Sequence, residues 1–397
     1  MANSSVYDFD KVIDRSGTDA AKWDVAEGEL PMWVADMDFA TAPEILEALS
    51  ERLDNGIFGY TDVSDRWRSA YADWWSNRHG LSMEKDALLF VTGVIPAISS
   101  IVRKLTTPNE NVIIQTPVYN IFFNSIKNNG CRVLESPLVY ENGVYSMDLA
   151  DLEAKMADPQ TNLMILCNPH NPVGKIWNRA TLAKIGDLAK ENHVTVISDE
   201  IHCDITAPGR EYVPFASVSE TCKAVSITCI APTKAFNIAG LQTAAIYVPD
   251  PVLRHKVWRA INTDEVAEPN AFATVAAIAA FEKGGAWLDA MRKYVFDNRA
   301  YVTAELAKAL PEVYVVPGEA TYLLWVDVSA YPGDSREIAN YLRKTTGLFV
   351  SNGVQYGAAG AHHLRVNVAC PRVLCEDGVK RLIAGLTAYR EEKKDGM

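Results

Sequence analysis

Short apolar runs alternate with helical patterns through the middle of the chain. From residue 88 onward, runs rich in Val and Ile lie between amphipathic stretches. This alternation is typical of strands and helices that build an α/β fold around a largely parallel sheet. The predicted strands cover residues 112–115, 132–135, 163–167, 194–198 and 224–230.

Two helical patterns precede this region. The tetrapeptide Thr-Ala-Pro-Glu at 41–44 matches a capping box. Apolar residues then recur at helical spacing through Leu53, so we predict a first helix that ends near residues 55–56. A second amphipathic stretch, 67–78, is closed by His79-Gly80.

The pattern changes after about residue 283. A long helical stretch at 287–310 is followed by apolar runs at 313–316, 323–328 and 364–368. This order indicates a second, smaller α+β domain. With 397 residues and 48% hydrophobic content, the chain has enough apolar residues for two domains.

Charge narrows the class of ligand. The formal net charge is −12, and no dense cluster of Lys and Arg offsets it. Binding driven by phosphate neutralisation requires such a basic surface. We therefore predict no nucleic-acid partner and expect small metabolites as ligands.

Cysteine usage and the apolar stretches predict a cytoplasmic protein. The seven cysteines are odd in number and scattered, mostly in apolar runs, which is typical of reduced thiols. The first ten residues lack the basic and apolar segments of a secretory signal. The longest smooth apolar stretch, 271–281, is shorter than the roughly 20 residues that a bilayer requires. We predict that it is a core helix and that the protein has no membrane partner.

Three polar residues follow predicted strands: Asn171 after 163–167, Asp199 after 194–198 and Lys234 after 224–230. Pyridoxal phosphate needs an amine to hold its aldehyde and a carboxylate to keep its ring nitrogen protonated. An asparagine amide can donate to the ring hydroxyl oxygen. Each residue alone is common on protein surfaces or in turns. All three in this order indicate a pyridoxal phosphate pocket.

Further residues fit the same pocket. Thr92 is positioned to cap a helix and to leave the N–H groups of Gly93, Val94 and Ile95 free for a phosphate, although an ordinary strand-to-helix turn is the preferred explanation of the segment taken alone. Tyr119 is placed to stack on the cofactor ring, and simple packing is the alternative. Asp199 requires a compensating cation if it is buried, or else it caps a helix.

His202 and Arg365 complete the candidates. His202 lies three residues after Asp199 and reaches the cofactor side from the same turn, and Arg365 can bind an amino-acid carboxylate with two parallel hydrogen bonds. We predict no metal at His202-Cys203-Asp204, because three adjacent residues cannot converge on one ion without backbone strain. The serine-hydrolase motif and the common nucleotide-binding loops are absent from the sequence.

The chain resembles the class I/II aminotransferase family of pyridoxal phosphate enzymes, and more closely the MalY/PatB-type cystathionine β-lyases, or C-S lyases. The resemblance runs almost from end to end. Its most specific segments are LPMWVADMDF at 30–39, FGYT at 58–61, CNPHNP at 167–172, SDEIH at 198–202 and KAFNIAGL at 234–241.

The resemblance implies a fold and an assembly. The fold is the aspartate aminotransferase-like fold type I of pyridoxal phosphate enzymes. It has a large cofactor domain, expected at 56–285, with a mainly parallel seven-stranded sheet. A small α+β domain is expected from 1–55 together with 286–397. The resemblance also implies a homodimer with active sites at the interface.

It further implies residue roles. Lys234 holds the cofactor aldehyde, Asp199 pairs with the ring nitrogen, Asn171 bonds the ring hydroxyl and Tyr119 stacks on the ring. The rest of the predicted cofactor-binding set is Gly93, Val94, Ile95, His202, Thr233 and Tyr60, the last donated across the dimer interface. The predicted substrate-binding set is Arg365, Tyr60, Trp33, Val34 and Asn171. Gln242 stands where many aminotransferases have a phosphate-binding arginine, and Ala231 where many have serine.

The predicted reaction is β-elimination from an L-cysteine S-conjugate. Lys234 takes the Cα proton as general base, and loss of the β-thiolate leads to pyruvate and ammonia. L-Cystathionine, which yields homocysteine, is the first expected substrate. An aminotransferase that uses the same residues is the alternative. A regulatory role in binding another protein is a third hypothesis, which the acidic surface permits.

Overall fold

The fold is described by a computed structural model that covers residues 7–395, and residues 7–394 for side chains. Its helices are α1 (Pro43–Asp54), α2 (Asp65–His79), α3 (Val94–Leu105), α4 (Ile121–Lys127), α5 (Leu149–Met156), α6 (Arg179–Glu191), α7 (Glu220–Val225), α8 (Pro251–Thr263), α9 (Ala273–Lys283), α10 (Gly285–Ala309), α11 (Ser335–Thr346) and α12 (Arg372–Asp395).

The strands are short and most lie between helices. They are β1 (Leu30–Pro31), β2 (Leu88–Val91), β3 (Asn111–Ile114), β4 (Arg132–Glu135), β5 (Val139–Glu141), β6 (Val144–Ser146), β7 (Thr161–Cys167), β8 (Thr195–Asp199), β9 (Ser226–Ile230), β10 (Ala244–Tyr247), β11 (Tyr314–Val315), β12 (Leu323–Asp327), β13 (Leu348–Phe349), β14 (Ser351–Asn352) and β15 (His363–Asn367).

A seven-stranded sheet organises the larger part of the chain. Its strand order is β2-β10-β9-β8-β7-β3-β4. Only β10 runs antiparallel to its neighbours, and the other pairs are parallel. The predicted mainly parallel seven-stranded sheet is therefore confirmed. In register, Asp199 lies opposite both Cys167 and Cys229, so β7, β8 and β9 end at the same edge.

The apolar runs arise because both faces of this sheet are covered. Ile165 and Ile197 pack against α3 and α8, whereas their neighbours Met164 and Val196 pack against α6. Successive strand residues point to opposite faces, so a strand covered on both sides is apolar at every position. This burial explains why the central strands show no polar alternation.

A second sheet follows, in the order β11-β12-β15-β14, with all pairs antiparallel. Helices α10, α11 and α12 pack around it, which confirms the predicted smaller α+β part. The N-terminal β1 pairs with β13, with Leu30 opposite Leu348, while α1 packs against α9. The domain limits at 55/56 and 285/286 stay a prediction.

Two capping predictions are wrong. Helix α1 begins after Ala42 without a side-chain cap, because the Thr41 hydroxyl donates to the carbonyl of Phe236 at 2.6 Å instead. Thr92 does not cap α3, since the helix begins at Val94 and Gly93 occupies the cap position. For Thr41, the hydrogen bond to the distant Phe236 carbonyl therefore replaces the local capping hydrogen bond.

The cysteines and helices add two observations. All seven cysteines are buried free thiols. The predicted core helix corresponds to α9, most of whose residues are buried. Among the helices formed by residues 7–395, none combines the length and apolar character that crossing a bilayer would need.

Candidate active site

A cavity of about 210 Å³ lies where β7, β8 and β9 end. Parallel strands that end together leave their following turns side by side, and ligand sites in open α/β sheets form at this edge. Nine of the predicted site residues line the cavity. They are Gly93, Val94, Ile95, Tyr119, Asn171, Asp199, His202, Thr233 and Lys234.

Lys234 lies in the turn after β9 and points into the cavity. Its Nζ donates to the carbonyl oxygen of Ala35 at 2.6 Å. Burial of the amine lowers the pKa of Lys234 to about 8, and the nearby Arg365 adds to this, against the opposing influence of Asp36 and Asp199. An amine with such a pKa is partly unprotonated near neutral pH, as an attacking or proton-accepting amine must be.

Asp199 is the last residue of β8 and is buried. Burial raises the pKa of Asp199 to about 7, while the Ile201 N–H, which donates to it at 3.1 Å, and Lys234 hold it lower. Residues 201–204 form a turn rather than a helix, so the alternative that Asp199 caps a helix is wrong. A buried carboxylate here favours a cationic partner in the cavity.

Arg365 lies on β15 and approaches the cavity from the second sheet. Its Nη1 donates to Asn171 Oδ1 at 3.3 Å and its Nη2 to the Trp33 carbonyl at 2.8 Å. The guanidinium lies over the Tyr356 ring, 4.8 Å from its centre. Within the described part of the chain, Nε is buried and makes no hydrogen bond. The guanidinium therefore has a donor available for a ligand.

Trp33 and Val34 enter this arrangement through their backbone. The Val34 carbonyl accepts from Asn367 Nδ2 at 2.6 Å, and the Trp33 ring stacks on Phe349, with ring centres 4.7 Å apart. Neither side chain lines the cavity. Their predicted contact with substrate stays a prediction.

One part of the cavity wall is formed by the start of α3. Gly93, Val94 and Ile95 line the cavity there, and Thr233 is a further lining residue. The first N–H groups of a helix have no partner within the helix and carry partial positive charge, which makes them suitable for an anion. These residues fit a phosphate even though Thr92 is not a cap.

His202 and Tyr119 complete the wall. His202 is buried, and its Nδ1 has no hydrogen-bond partner among residues 7–394. Burial lowers the pKa of His202 to about 3, so the ring is neutral. The Tyr119 ring packs edge-on against Phe122, with ring centres 5.7 Å apart, and its remaining surface borders the cavity.

Tyr60 is not brought into this cavity. Its side chain is fully exposed, with a relative accessibility of 106%. It borders a different depression of about 960 Å³ with Phe58, Leu241 and Phe272. In one chain, therefore, Tyr60 is separate from the other candidates.

The sequence patterns did not reveal several wall residues, namely Ala35, Cys167, Ile201 and Ala239. Cys167 had a signal, because it is the last residue of the predicted strand 163–167, and Asp199 directly follows the next predicted strand, 194–198. Ala35 had no such signal in the sequence. It lines the cavity because the folded N-terminal segment between β1 and α1 passes beside it.

A small charge cluster lies next to Ala35. Lys22 is only 1% exposed and lies 2.7 Å from Asp38, which is 4% exposed. Arg15 bridges Asp36 and Asp38 at 2.9 Å each. These paired charges anchor the segment that supplies Ala35 to the cavity.

The side chains of His202, Cys203 and Asp204, for which no joint metal site was predicted, belong to two different places in the structure. His202 lines the cavity, whereas Cys203 and Asp204 lie with His79, their ligand atoms within 4.8 Å of one another. Asp204 already accepts from His79 at 2.8 Å and from Trp74 at 3.1 Å. Its charge is thus largely compensated by protein groups.

The cavity residues fit pyridoxal phosphate. They offer an amine of lowered pKa, a buried carboxylate that favours a cation, and free helix N–H groups for the phosphate. The buried His202 Nδ1 and Arg365 Nε are further polar atoms without protein partners among the described residues. This donor set matches the chemical groups of the cofactor.

Comparisons with known proteins give the family. The model for class I and II aminotransferases matches residues 30–382. The chain is 42% identical to cystathionine beta-lyase PatB of Bacillus subtilis, over 96% of this chain and 100% of PatB. It is 34% identical to protein MalY of Escherichia coli, over 97% of this chain and 100% of MalY.

The fold is also similar to solved structures. Cystalysin from Treponema denticola, whose crystal structure contains pyridoxal 5'-phosphate, superposes with a TM-score of 0.94 and 31% identity, over 97% of this chain and 100% of cystalysin. Given this likeness and the matched cavity, the chain belongs to the class I and II aminotransferase family, within the branch of PatB and MalY, and is a pyridoxal-phosphate-dependent enzyme of fold type I.

Proposed function

We propose that this protein is a carbon–sulfur β-lyase that cleaves L-cystathionine or related L-cysteine S-conjugates to a thiol, pyruvate and ammonia. The observation that carries the proposal is the Lys234 amine, with a pKa lowered to about 8, in a cavity that it shares with Asp199 and with Asn171, to which Arg365 is hydrogen-bonded. Similarity to proteins named cystathionine beta-lyase, at 42% identity for PatB, gives the reaction its class.

Different residues of the chain have different roles toward the cofactor in this proposal. When bound, pyridoxal phosphate supplies a ring that withdraws electrons from the substrate Cα and so acidifies its proton. Asp199 supplies the negative charge that keeps a ring nitrogen protonated, because a buried carboxylate and a buried cation stabilise each other. Asn171 and His202 supply polar atoms beside it, and the start of α3 holds the phosphate.

Substrate orientation depends on Arg365. A guanidinium binds a carboxylate with two parallel hydrogen bonds. The Nε of Arg365 has no hydrogen-bond partner in the described part of the chain, and two further N–H groups contact Asn171 and Trp33. These two contacts fix the plane of the guanidinium before substrate arrives. The substrate α-carboxylate then sets the Cα–H bond toward Lys234.

Lys234 performs the proton transfer. Its unprotonated amine accepts the Cα proton, and departure of the β-thiolate follows. The cavity limits water access through its apolar wall, which includes Val94, Ile95 and Ile201. Exclusion of water strengthens the interactions of the charged groups inside.

The proposed assembly is a homodimer in the cytoplasm. The exposure of Tyr60, Ile57 and Phe58 beside a depression of about 960 Å³ supports donation of Tyr60 to the partner's site. Buried free thiols support a reducing compartment. The net charge of −12 supports small amino acids rather than nucleic acid as ligands.

Cofactor attachment should depend on pH through Lys234. Only the unprotonated amine attacks an aldehyde, so for a pKa lowered to about 8 the attachment rate should rise with pH and reach half its maximum near pH 8. An ordinary lysine would reach it above about pH 10. Stopped-flow absorbance of cofactor-free protein mixed with pyridoxal phosphate measures the rate, and Nα-acetyl-lysine controls for the cofactor's own titration. A rate still rising steeply beyond pH 10 would contradict the lowered pKa.

The reaction itself is tested by product stoichiometry. Purified protein loaded with pyridoxal phosphate is mixed with L-cystathionine without any 2-oxo acid, and pyruvate and free thiol are followed together. We expect equal amounts of both products, far above the rate with free pyridoxal phosphate. No pyruvate, together with amino transfer that requires a 2-oxo acid, would assign the protein to the aminotransferases.

A further inference from the structure

The segment between β1 and α1, residues 33–39, contains no helix or strand, yet side chains from distant parts of the chain hold its carbonyl oxygens. We call it the carbonyl segment. The contacts are Arg365 to Trp33 at 2.8 Å, Asn367 to Val34 and to Asp36 at 2.6 Å each, and Asn237 to Met37 at 3.0 Å and to Phe39 at 2.9 Å.

Ala35 is the member of this segment that faces the cavity. Its carbonyl accepts from Lys234 Nζ at 2.6 Å and from the Tyr322 hydroxyl at 2.9 Å. Tyr322 has no exposed surface and immediately precedes β12. Lys234 and Tyr322 thus share one acceptor at the cavity wall.

The Ala35 carbonyl cannot easily turn away. Asn367 holds the carbonyls on both sides of it with a single amide nitrogen, at 2.6 Å in each case. A peptide fixed at both neighbours has little conformational freedom left to lose when it binds an amine. The acceptor for the lysine is therefore preformed.

The lysine amine needs such a place during catalysis. It is bonded to the cofactor in one part of the cycle and free in the other, and a free amine on a four-carbon chain has many rotamers. When one N–H is directed to Ala35, the amine is held at the cavity wall and loses most of this rotamer freedom. The remaining N–H and the lone pair of the unprotonated amine stay available for the substrate.

Resting on the proposed lyase function, we propose that the Ala35 carbonyl is the docking point of the free Lys234 amine and that Tyr322 is a positioning residue for proton transfer from the substrate Cα. In that step the Cα–H bond breaks with its electron pair left on carbon, and an N–H bond forms on Nζ. Tyr322 contributes by fixing the acceptor.

Tyr322 also affects how strongly Ala35 attracts a proton-bearing amine. Its hydroxyl occupies part of the acceptor capacity of the carbonyl oxygen, which weakens the hydrogen bond that a protonated lysine can make there. The charged groups near Lys234 are Asp36, Asp199 and Arg365, and the titratable neighbours are His202 and, on the same cavity wall, Tyr119 and Cys167. A Tyr322 substitution leaves all of these side chains in place.

The test compares Tyr322→Phe with Tyr389→Phe. Like Tyr322, Tyr389 is buried, with 1% of its surface exposed, and its hydroxyl donates to a backbone carbonyl, that of Pro332, at 2.8 Å. For Tyr322→Phe we expect kcat for pyruvate formation to fall about tenfold, as for loss of one positioning hydrogen bond. KM should stay within about twofold. The kinetic isotope effect with α-deuterated substrate should rise, because proton transfer becomes slower than the other steps.

A second measurement does not depend on lyase activity. The rate at which pyridoxal phosphate attaches to cofactor-free Tyr322→Phe should fall, and its pH midpoint should move above that of the unaltered protein. Tyr389→Phe should change neither. Asn367→Ala leaves Tyr322 in place but frees the Ala35 peptide. It should lower both the attachment rate and kcat for pyruvate formation.

The outcomes separate the two proposals. If Tyr322→Phe matches the unaltered protein in kcat, isotope effect and attachment rate, the docking role is overturned. If the unaltered protein makes no pyruvate, the lyase proposal fails, and the attachment rates still decide whether Tyr322 positions Lys234.

Discussion

Replacing Lys234 by alanine should lower kcat for pyruvate formation about 10⁴-fold, which corresponds to about 5.5 kcal/mol of barrier. Two contributions disappear together: the amine that attaches the cofactor and the base that accepts the Cα proton. The remaining cavity keeps Asp199, Arg365 and the start of α3, so substrate and phosphate can still bind. Coupled spectrophotometric detection of pyruvate measures the loss.

Surface lysine Lys184, which is 44% exposed, provides the matched control. Lys184→Ala removes the same side chain from α6 and should leave kcat within about twofold. A small exogenous amine such as methylamine should restore part of the proton transfer in Lys234→Ala. More than about 1% residual activity without added amine would contradict Lys234 as the base.

Replacing Asp38 by asparagine should lower the free energy of unfolding by about 3–5 kcal/mol. Asp38 accepts from Lys22 at 2.7 Å, Arg15 at 2.9 Å and Trp23 Nε1 at 2.8 Å. Asparagine keeps the shape and loses the charge. Among residues 7–394, the buried Lys22 would then keep one nearby carboxylate, that of Asp36 at 3.6 Å. Urea denaturation of cofactor-loaded proteins at one concentration measures the difference.

The control for this prediction is Asp297→Asn. Asp297 lies 2.6 Å from Lys293, but the two side chains are 55% and 72% exposed. Water screens such a pair, so the change should stay below about 0.5 kcal/mol. Comparable effects of the two substitutions would show that burial of the Asp38 pair contributes nothing.

The central strands could be predicted because burial on both faces leaves a direct mark on the sequence. The predicted 163–167 lies within β7, and the predicted 224–230 contains β9. The caps could not be predicted in the same way. Thr41 has the composition of a cap, but its hydroxyl bonds to Phe236, 195 residues away, and local sequence contains no information about that partner.

The site likewise contains residues that the sequence predicts and residues that it does not. Asn171, Asp199 and Lys234 could be selected because each follows an apolar run, and a sheet with β7, β8 and β9 side by side places them around one cavity. Their individual roles stay predictions. Ala35 and Tyr322 could not be predicted as site residues. Lys234 and Tyr322 both donate to the Ala35 carbonyl, and these three residues are distant from one another in the chain.

The path of the carbonyl segment has a consequence for biosynthesis. The Trp33 carbonyl and its donor Arg365 are 332 residues apart, and at about 5–20 residues per second the ribosome needs roughly 20–60 s to make the intervening chain. Lys234 emerges well before Arg365 and Asn367 do. During that time the carbonyl segment can be held by Asn237 but lacks the donors Arg365 and Asn367. The nascent polypeptide therefore cannot complete its catalytic cavity until residues 365–367 have left the ribosome.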